Sequence, residues 1–116
     1  MTARIPRNID KAIAIGLPLN ADGQTPIIDC RDFDYALVTV EWAGGSATDA
    51  TVWLNVSNSD DGTNLERAWI PAHSMKTTTG WHHFDVPLHA IPFLNVQLSH
   101  GSNTTGTWSV TCWLKV

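Results

Sequence analysis

Hydrophobic and polar positions alternate along much of this chain, and the alternation is clearest at its end. Over residues 106–116, Trp108, Val110, Cys112, Leu114 and Val116 share one phase, while Thr107, Ser109, Thr111, Trp113 and Lys115 share the other. Period two with β-branched and aromatic residues is the mark of a half-buried strand. A strand that carries a large apolar face this far must lie inside a sheet, because an end with nothing to pack against frays. The same test predicts strands over residues 36–42, with Val38, Val40 and Trp42 in phase, and over residues 51–57, with Val52, Leu54 and Val56 inward. Residues 81–88 alternate His82, Phe84 and Val86 against Trp81, His83 and Asp85, and residues 93–99 put Leu94, Val96 and Leu98 on one face. Weaker extended runs fall at residues 11–16, with Ile13 and Ile15 on one side, at 25–30, and at 65–71, where Trp69 is expected to pack.

Turn chemistry separates these runs. Gly44 and Gly45 stand between the strands at 36–42 and 51–57, which predicts that those two form an antiparallel pair. Asp61-Gly62 is a turn signal, and Pro87 and Pro92 confine their region to an edge or a strand end because neither can donate to a ladder. The threonine-rich stretch 75–80 reads as a connection or an edge. Seven or eight strands at roughly 10- to 13-residue spacing, with no convincing helix, predict one all-β domain. The expected architecture is a single antiparallel β-sandwich over residues 11–116, jelly-roll or immunoglobulin-like, preceded by an irregular arm over residues 1–10 that Pro6 interrupts.

Composition narrows the function. The chain has 116 residues, enough for one domain with a real core. Its net charge is −4 and no basic stripe is visible, so binding to duplex nucleic acid is not expected. Arg4, Arg7 and Lys11 nevertheless gather in the first eleven residues and make the arm a small basic element on an acidic body. No hydrophobic leader is visible and no apolar run approaches membrane-spanning length, so neither secretion nor a membrane is expected. Cys30 and Cys112 are read as small buried residues in a reduced setting, in preference to a bridge between them.

No group of residues announces catalysis. His82 and His83 are neighbours on a strand and point to opposite faces, so they cannot share a metal without distortion; His89 and His100 follow singly. Asp60-Asp61-Gly62-Thr63-Asn64 faintly suggests a calcium loop but lacks the spaced acidic pattern and terminal Glu, and a turn explains it. Asp29, Asp32 and Asp34 read as a solvated corner. There is no G-x-S-x-G elbow, no cysteine in a nucleophile context and no glycine-rich phosphate loop. An enzyme is not expected, nor is any cofactor or metal.

The six tryptophans are more informative. Trp42 and Trp108 fall in phase with aliphatic neighbours and are expected in the core. Trp53 and Trp113 fall out of phase, on faces that alternation assigns to water, and an outward Trp needs a reason. It could form a subunit interface, offer a flat platform for a sugar ring, or lie along its own sheet.

Residues 51–64, Thr-Val-Trp-Leu-Asn-Val-Ser-Asn-Ser-Asp-Asp-Gly-Thr-Asn, with Trp69 beyond them, resemble a hairpin of small phage virion β-sandwich proteins. Phe84-Asp-Val86, the strand and turn over 94–106, and Gly106-Thr-Trp-Ser-Val-Thr-Cys-Trp-Leu-Lys115 continue the likeness across about residues 36–116. Leu65 departs from it, standing where those proteins carry an aromatic. The resemblance implies a virion structural protein, a capsid decoration, head-fibre or tail-associated component. Such a protein is made in the host cytoplasm, docks on a major capsid or tail protein and assembles as a homo-oligomer, a trimer by analogy. Discoidin-like and carbohydrate-binding sandwiches share parts of the pattern, which keeps a glycan-binding module using Trp53 or Trp113 as the alternative.

Overall fold

The described residues of the computed structural model are 8–89 and 91–116, with side chains described from residue 13 onward. They form ten strands: β1 (Asn8–Pro18), β2 (Gly23–Gln24), β3 (Ile28–Asp29), β4 (Tyr35–Ala43), β5 (Thr51–Ser57), β6 (Glu66–Arg67), β7 (His73–Ser74), β8 (Gly80–Pro87), β9 (Phe93–Ser99) and β10 (Thr107–Lys115). The first sheet has the order β1-β10-β4-β8, and the second runs β2-β9-β5-β6, with β3 also on β9 and β7 also on β5. Every pairing is antiparallel.

The short strands come in interrupted pairs. Pro26, which cannot donate, stands between β2 and β3, and Thr25 bridges the gap by donating from N to the Val96 carbonyl at 2.9 Å. Pro71 likewise stands between β6 and β7, with Ala68 N on the Leu54 carbonyl at 2.9 Å and Met75 N on that of Ala50 at 2.8 Å. Counting each pair as one strand gives eight, in the orders 1-8-3-6 and 2-7-4-5. All connections but one cross from sheet to sheet, as in a jelly roll. Of the two topologies that the sequence leaves open, this is the one adopted.

The core follows from the alternation. Val38, Val40, Trp42, Phe84, Val86, Trp108, Val110, Cys112 and Leu114 face inward from the first sheet, against Ile28, Val52, Leu54, Leu94, Val96 and Leu98 of the second. Leu19, Met75 and Leu88 are also buried. Trp42 and Trp108 are core residues, directly opposite each other on β4 and β10. Cys30 and Cys112 are both buried free thiols.

Four expectations need correction. The strands β4 and β5 do not pair; they lie in different sheets. Their connection is a loop folded over the end of the sandwich, where Asn103 Oδ1 accepts from Ser46 N at 3.0 Å and Ala47 N at 2.9 Å and the Thr78 carbonyl accepts from Gly45 N. Secondly, β1 begins at Asn8 and takes in residues assigned to the arm. Its register shifts between Ala12 and Ala14 and again between Ala14 and Leu17, with Gly16 at φ +70° as the bulge residue. The bulges part Ile13, which packs on the core, from Ile15, which is 79% exposed. Finally, Trp69 is exposed, because the β6–β7 connection that carries it runs outside the sheet edge.

Candidate functional site

The outward face of the first sheet is built from odd-numbered positions of three strands. Cross-strand register sets Trp113 beside Leu37 and Asp85, Thr111 beside Thr39 and His83, and Ser109 beside Glu41 and Trp81. An outward face should be polar in an isolated sandwich. Here Trp113 and Trp81 are 51% and 64% exposed, and Ile15 stands on the same side beside Glu41 and Trp81. Shallow depressions lie between these residues, one around Ile15, Glu41 and Trp81, the next floored by Thr39, Glu41, His83 and Thr111 below Trp113. Exposed aromatics grouped on one face with a polar floor are the composition of an interaction surface.

Hydrogen bonds hold the polar floor in place. Thr39 Oγ1 lies 2.7 Å from His83 Nδ1, and the Trp81 and His83 rings stand 4.5 Å apart, tilted by 49°. Tyr35 donates its hydroxyl to Asp85 Oδ1 at 2.5 Å. That bond raises the tyrosine pKa above its ordinary value, with burial and the Asp85 charge adding to it. These bonds fix side chains that would otherwise lose rotamer freedom on docking, so the face is pre-organised.

Trp53 has a different environment. It points outward from the second sheet, but the Arg67 guanidinium covers its ring at 4.4 Å from the centroid, and it is half-buried. Of the three readings for an outward Trp, lying along its own sheet describes Trp53. Beside it runs a row of amides on the same face. Asn55 Nδ2 donates to Asn95 Oδ1 at 3.2 Å and to Gln97 Oε1 at 2.8 Å, and Asn95 Nδ2 donates to Gln24 Oε1 at 3.1 Å. Asn55 and Asn95 are buried, and mutual satisfaction makes that tolerable.

Arg4 and Arg7 lie outside the described residues, and Lys11 falls within β1 opposite Cys112 with its side chain outside them. Two residues of these surfaces, Trp81 and His73, are not among the candidates predicted from the sequence. Trp81 shares the outward phase of Trp113 and could have been found by the same rule. His73 could not, since its importance lies in a stacking contact with His82, 3.8 Å between centroids and 8° from parallel, that joins the two sheets. The acidic turn holds itself together: Asp61 Oδ1 accepts from Ser59 Oγ, Thr63 N and Thr63 Oγ1, which brings its pKa down to about 2. Among the described residues, no group of three or more His, Cys, Asp and Glu side chains is placed to hold a metal ion.

Fold and face together define a jelly-roll sandwich with one aromatic outer sheet surface. No family model matches the sequence, and no curated protein matches it. Among solved structures the chain is similar to the SPBc2 prophage-derived protein YomS, with a TM-score of 0.58 over 100% of this chain and 99% of that one. Sequence identity is 14%, so the likeness is one of fold.

Proposed function

We propose that this protein is a structural component of a bacteriophage virion, a capsid decoration or accessory protein that docks as a homo-oligomer through the outer face of its first sheet. The observation that carries the reading is the exposure of Trp81 and Trp113 on one face whose polar side chains are already held in place. Each ring is a little over half exposed, so docking removes roughly 80–150 Å² of it from water, which at about 25 cal/mol per Å² supplies about 2–4 kcal/mol per contact, and closed symmetry repeats it. Full-length similarity in fold to a prophage-derived protein supports a phage setting, as does the likeness to virion sandwiches across residues 36–116. A trimer is the copy number that this likeness favours, and the basic arm is a second element for attachment to a capsid or tail protein.

The test is the solution mass of the wild type against Trp113→Ser. The reading expects a wild-type mass that is a multiple of 12.7 kDa and falls in the variant, with the two melting alike at a dilution where both are monomers. A second reading, a glycan-binding surface, rests on the exposed Trp113 ring over Thr39, Glu41 and Thr111. A monomeric wild type that binds a glycan array through Trp113 would select it and end the first.

A further inference from the structure

The four edge positions of this sandwich are not alike. On the second sheet both edges are built from two-residue strands broken by proline, and on the first sheet β1 is interrupted by two bulges. Short strands, prolines and bulges are the devices that stop an edge from recruiting another strand. The remaining edge, β8, has none of them before its last residue. It runs eight residues in unbroken register with β4, from Gly80 opposite Trp42 to Pro87 opposite Tyr35.

Leu88 N donates to the Asp34 carbonyl, one step beyond the Tyr35–Pro87 pair, so even-numbered residues of β8 exchange hydrogen bonds with β4. The odd-numbered residues Trp81, His83 and Asp85 therefore aim both N–H and C=O away from the sheet, and Pro87 its carbonyl alone. All four side chains are exposed on the outer face. No hydrogen bond to these outward backbone groups is found among the described residues.

We infer that β8 is a docking edge for a second copy of this chain, pairing antiparallel with the partner's β8 about a two-fold axis and continuing the first sheet across the pair. An axis through Phe84 is the self-complementary register. It sets His83 opposite Asp85 of the partner subunit, and Asp85 opposite the partner's His83, so that each couple exchanges two backbone bonds and places opposite charges side by side when the imidazole is protonated. It sets Trp81 against the partner's Pro87, a couple that makes one backbone bond, from the Trp81 N–H to the proline carbonyl, and leaves the Trp81 carbonyl at the end of the ladder to water. Moving the axis to His83 would put two imidazoles face to face and Trp81 against a carboxylate. The internal bonds of these side chains do not compete, since Thr39 takes His83 Nδ1 and Tyr35 takes Asp85 Oδ1, leaving Nε2 and Oδ2. The exposed Trp69 adds apolar surface on the same side of the sandwich, on the β6–β7 edge that the His73–His82 stack ties to β8.

This contact is separate from the proposed docking through the sheet face. His83 and Asp85 also belong to that face, so rescue by the charge-swapped double variant is what tells the two apart. Sedimentation of the wild type at micromolar concentration is expected to include a species of twice 12.7 kDa or a multiple of it. His83→Glu places two carboxylates across the axis, Asp85→Lys replaces the carboxylate with a cation facing the imidazole, and each is expected to halve that mass, while H83E/D85K recreates opposite charges and restores it; loss of mass in the single variants without rescue in the double overturns the inference. Melting of each variant at low concentration separates lost pairing from lost folding, and hydrogen exchange at the amides of 81, 83 and 85 is expected to slow only in the paired species. A wild type that stays at 12.7 kDa, or a mass that survives both single variants, overturns the inference. An assembly lost in Trp113→Ser but not in the β8 variants would leave the face reading standing and this one refuted.

Discussion

Truncating Trp108 tests the core at its largest fully buried side chain. The ring is 1% exposed, lies opposite Trp42 across the β10–β4 ladder, and abuts the backbone at Gly23, where an added Cβ would sit 3.7 Å from Cζ2. Burying roughly 200 Å² at about 25 cal/mol per Å² contributes about 5 kcal/mol. Against this, Nε1 is buried with no hydrogen-bond partner, and an orphaned donor costs about 1–3 kcal/mol. Trp108→Ala recovers that cost but leaves a cavity, so a net loss of about 3–5 kcal/mol is expected. In a domain of this size that lowers Tm by roughly 10–20 °C. Trp108→Phe keeps most of the ring and removes the orphaned N–H, so it is expected to lose less than half as much. The assay is thermal unfolding followed by circular dichroism at one fixed protein concentration, since association alone shifts Tm. If Trp108→Ala melted within about 2 °C of the parent, the inward phase of β10 would be refuted.

Other consequences follow from the same contacts. The imidazole pKa values of His73 and His82 are lowered from 6.5, in both cases first by burial, then for His73 by Lys76 and for His82 by His73 and His83. The unfolded chain therefore binds more protons, and stability is complete above pH 6.5 and falls as pH drops below it; urea titrations at several pH values are expected to show that slope, flattened in His73→Phe. Burial pushes the Cys30 thiol up to about 12, helped by Cys112 and Asp29, so alkylation of the native protein is expected to be slow and to reach both cysteines only on unfolding. Gly106, at φ +104°, has backbone atoms of Ala43, Gly44 and Gly45 within 2.9 Å of where a Cβ would stand, so Gly106→Ala is expected to cost more than the roughly 1 kcal/mol of an ordinary glycine replacement, read by denaturant midpoint.

Period-two alternation carried most of the fold, because a two-layer sandwich buries one face of each long strand. It located β4, β5, β8, β9 and β10, and it placed Trp42 and Trp108 inside. It could not choose partners. The Gly-Gly between β4 and β5 looks like a hairpin signal, yet seven residues separate Ala43 from Thr51, and that length lets the chain cross to the other sheet. Nor could alternation foresee the bulges in β1, which break its own premise and expose Ile15. At the candidate site, phase singled out Trp113 and Trp53 alike. Only the Arg67 guanidinium over Trp53 distinguishes them, and that contact depends on β6 pairing with β5, which two residues of strand do not announce. His73 sits in a strand just as short, and its stacking on His82 exists only once the sheets are packed.

The central claim is that the outer face of the first sheet is the surface that docks, and radical footprinting of the tryptophans by mass spectrometry tests it most directly. Trp81 and Trp113 start exposed, whereas Trp53 is already covered by Arg67 and Trp108 by the core. As protein concentration rises through assembly, oxidation of Trp81 and Trp113 is expected to fall while that of Trp53 and Trp108 stays level. Assembly that leaves Trp113 as reactive as in the dilute protein would contradict the account.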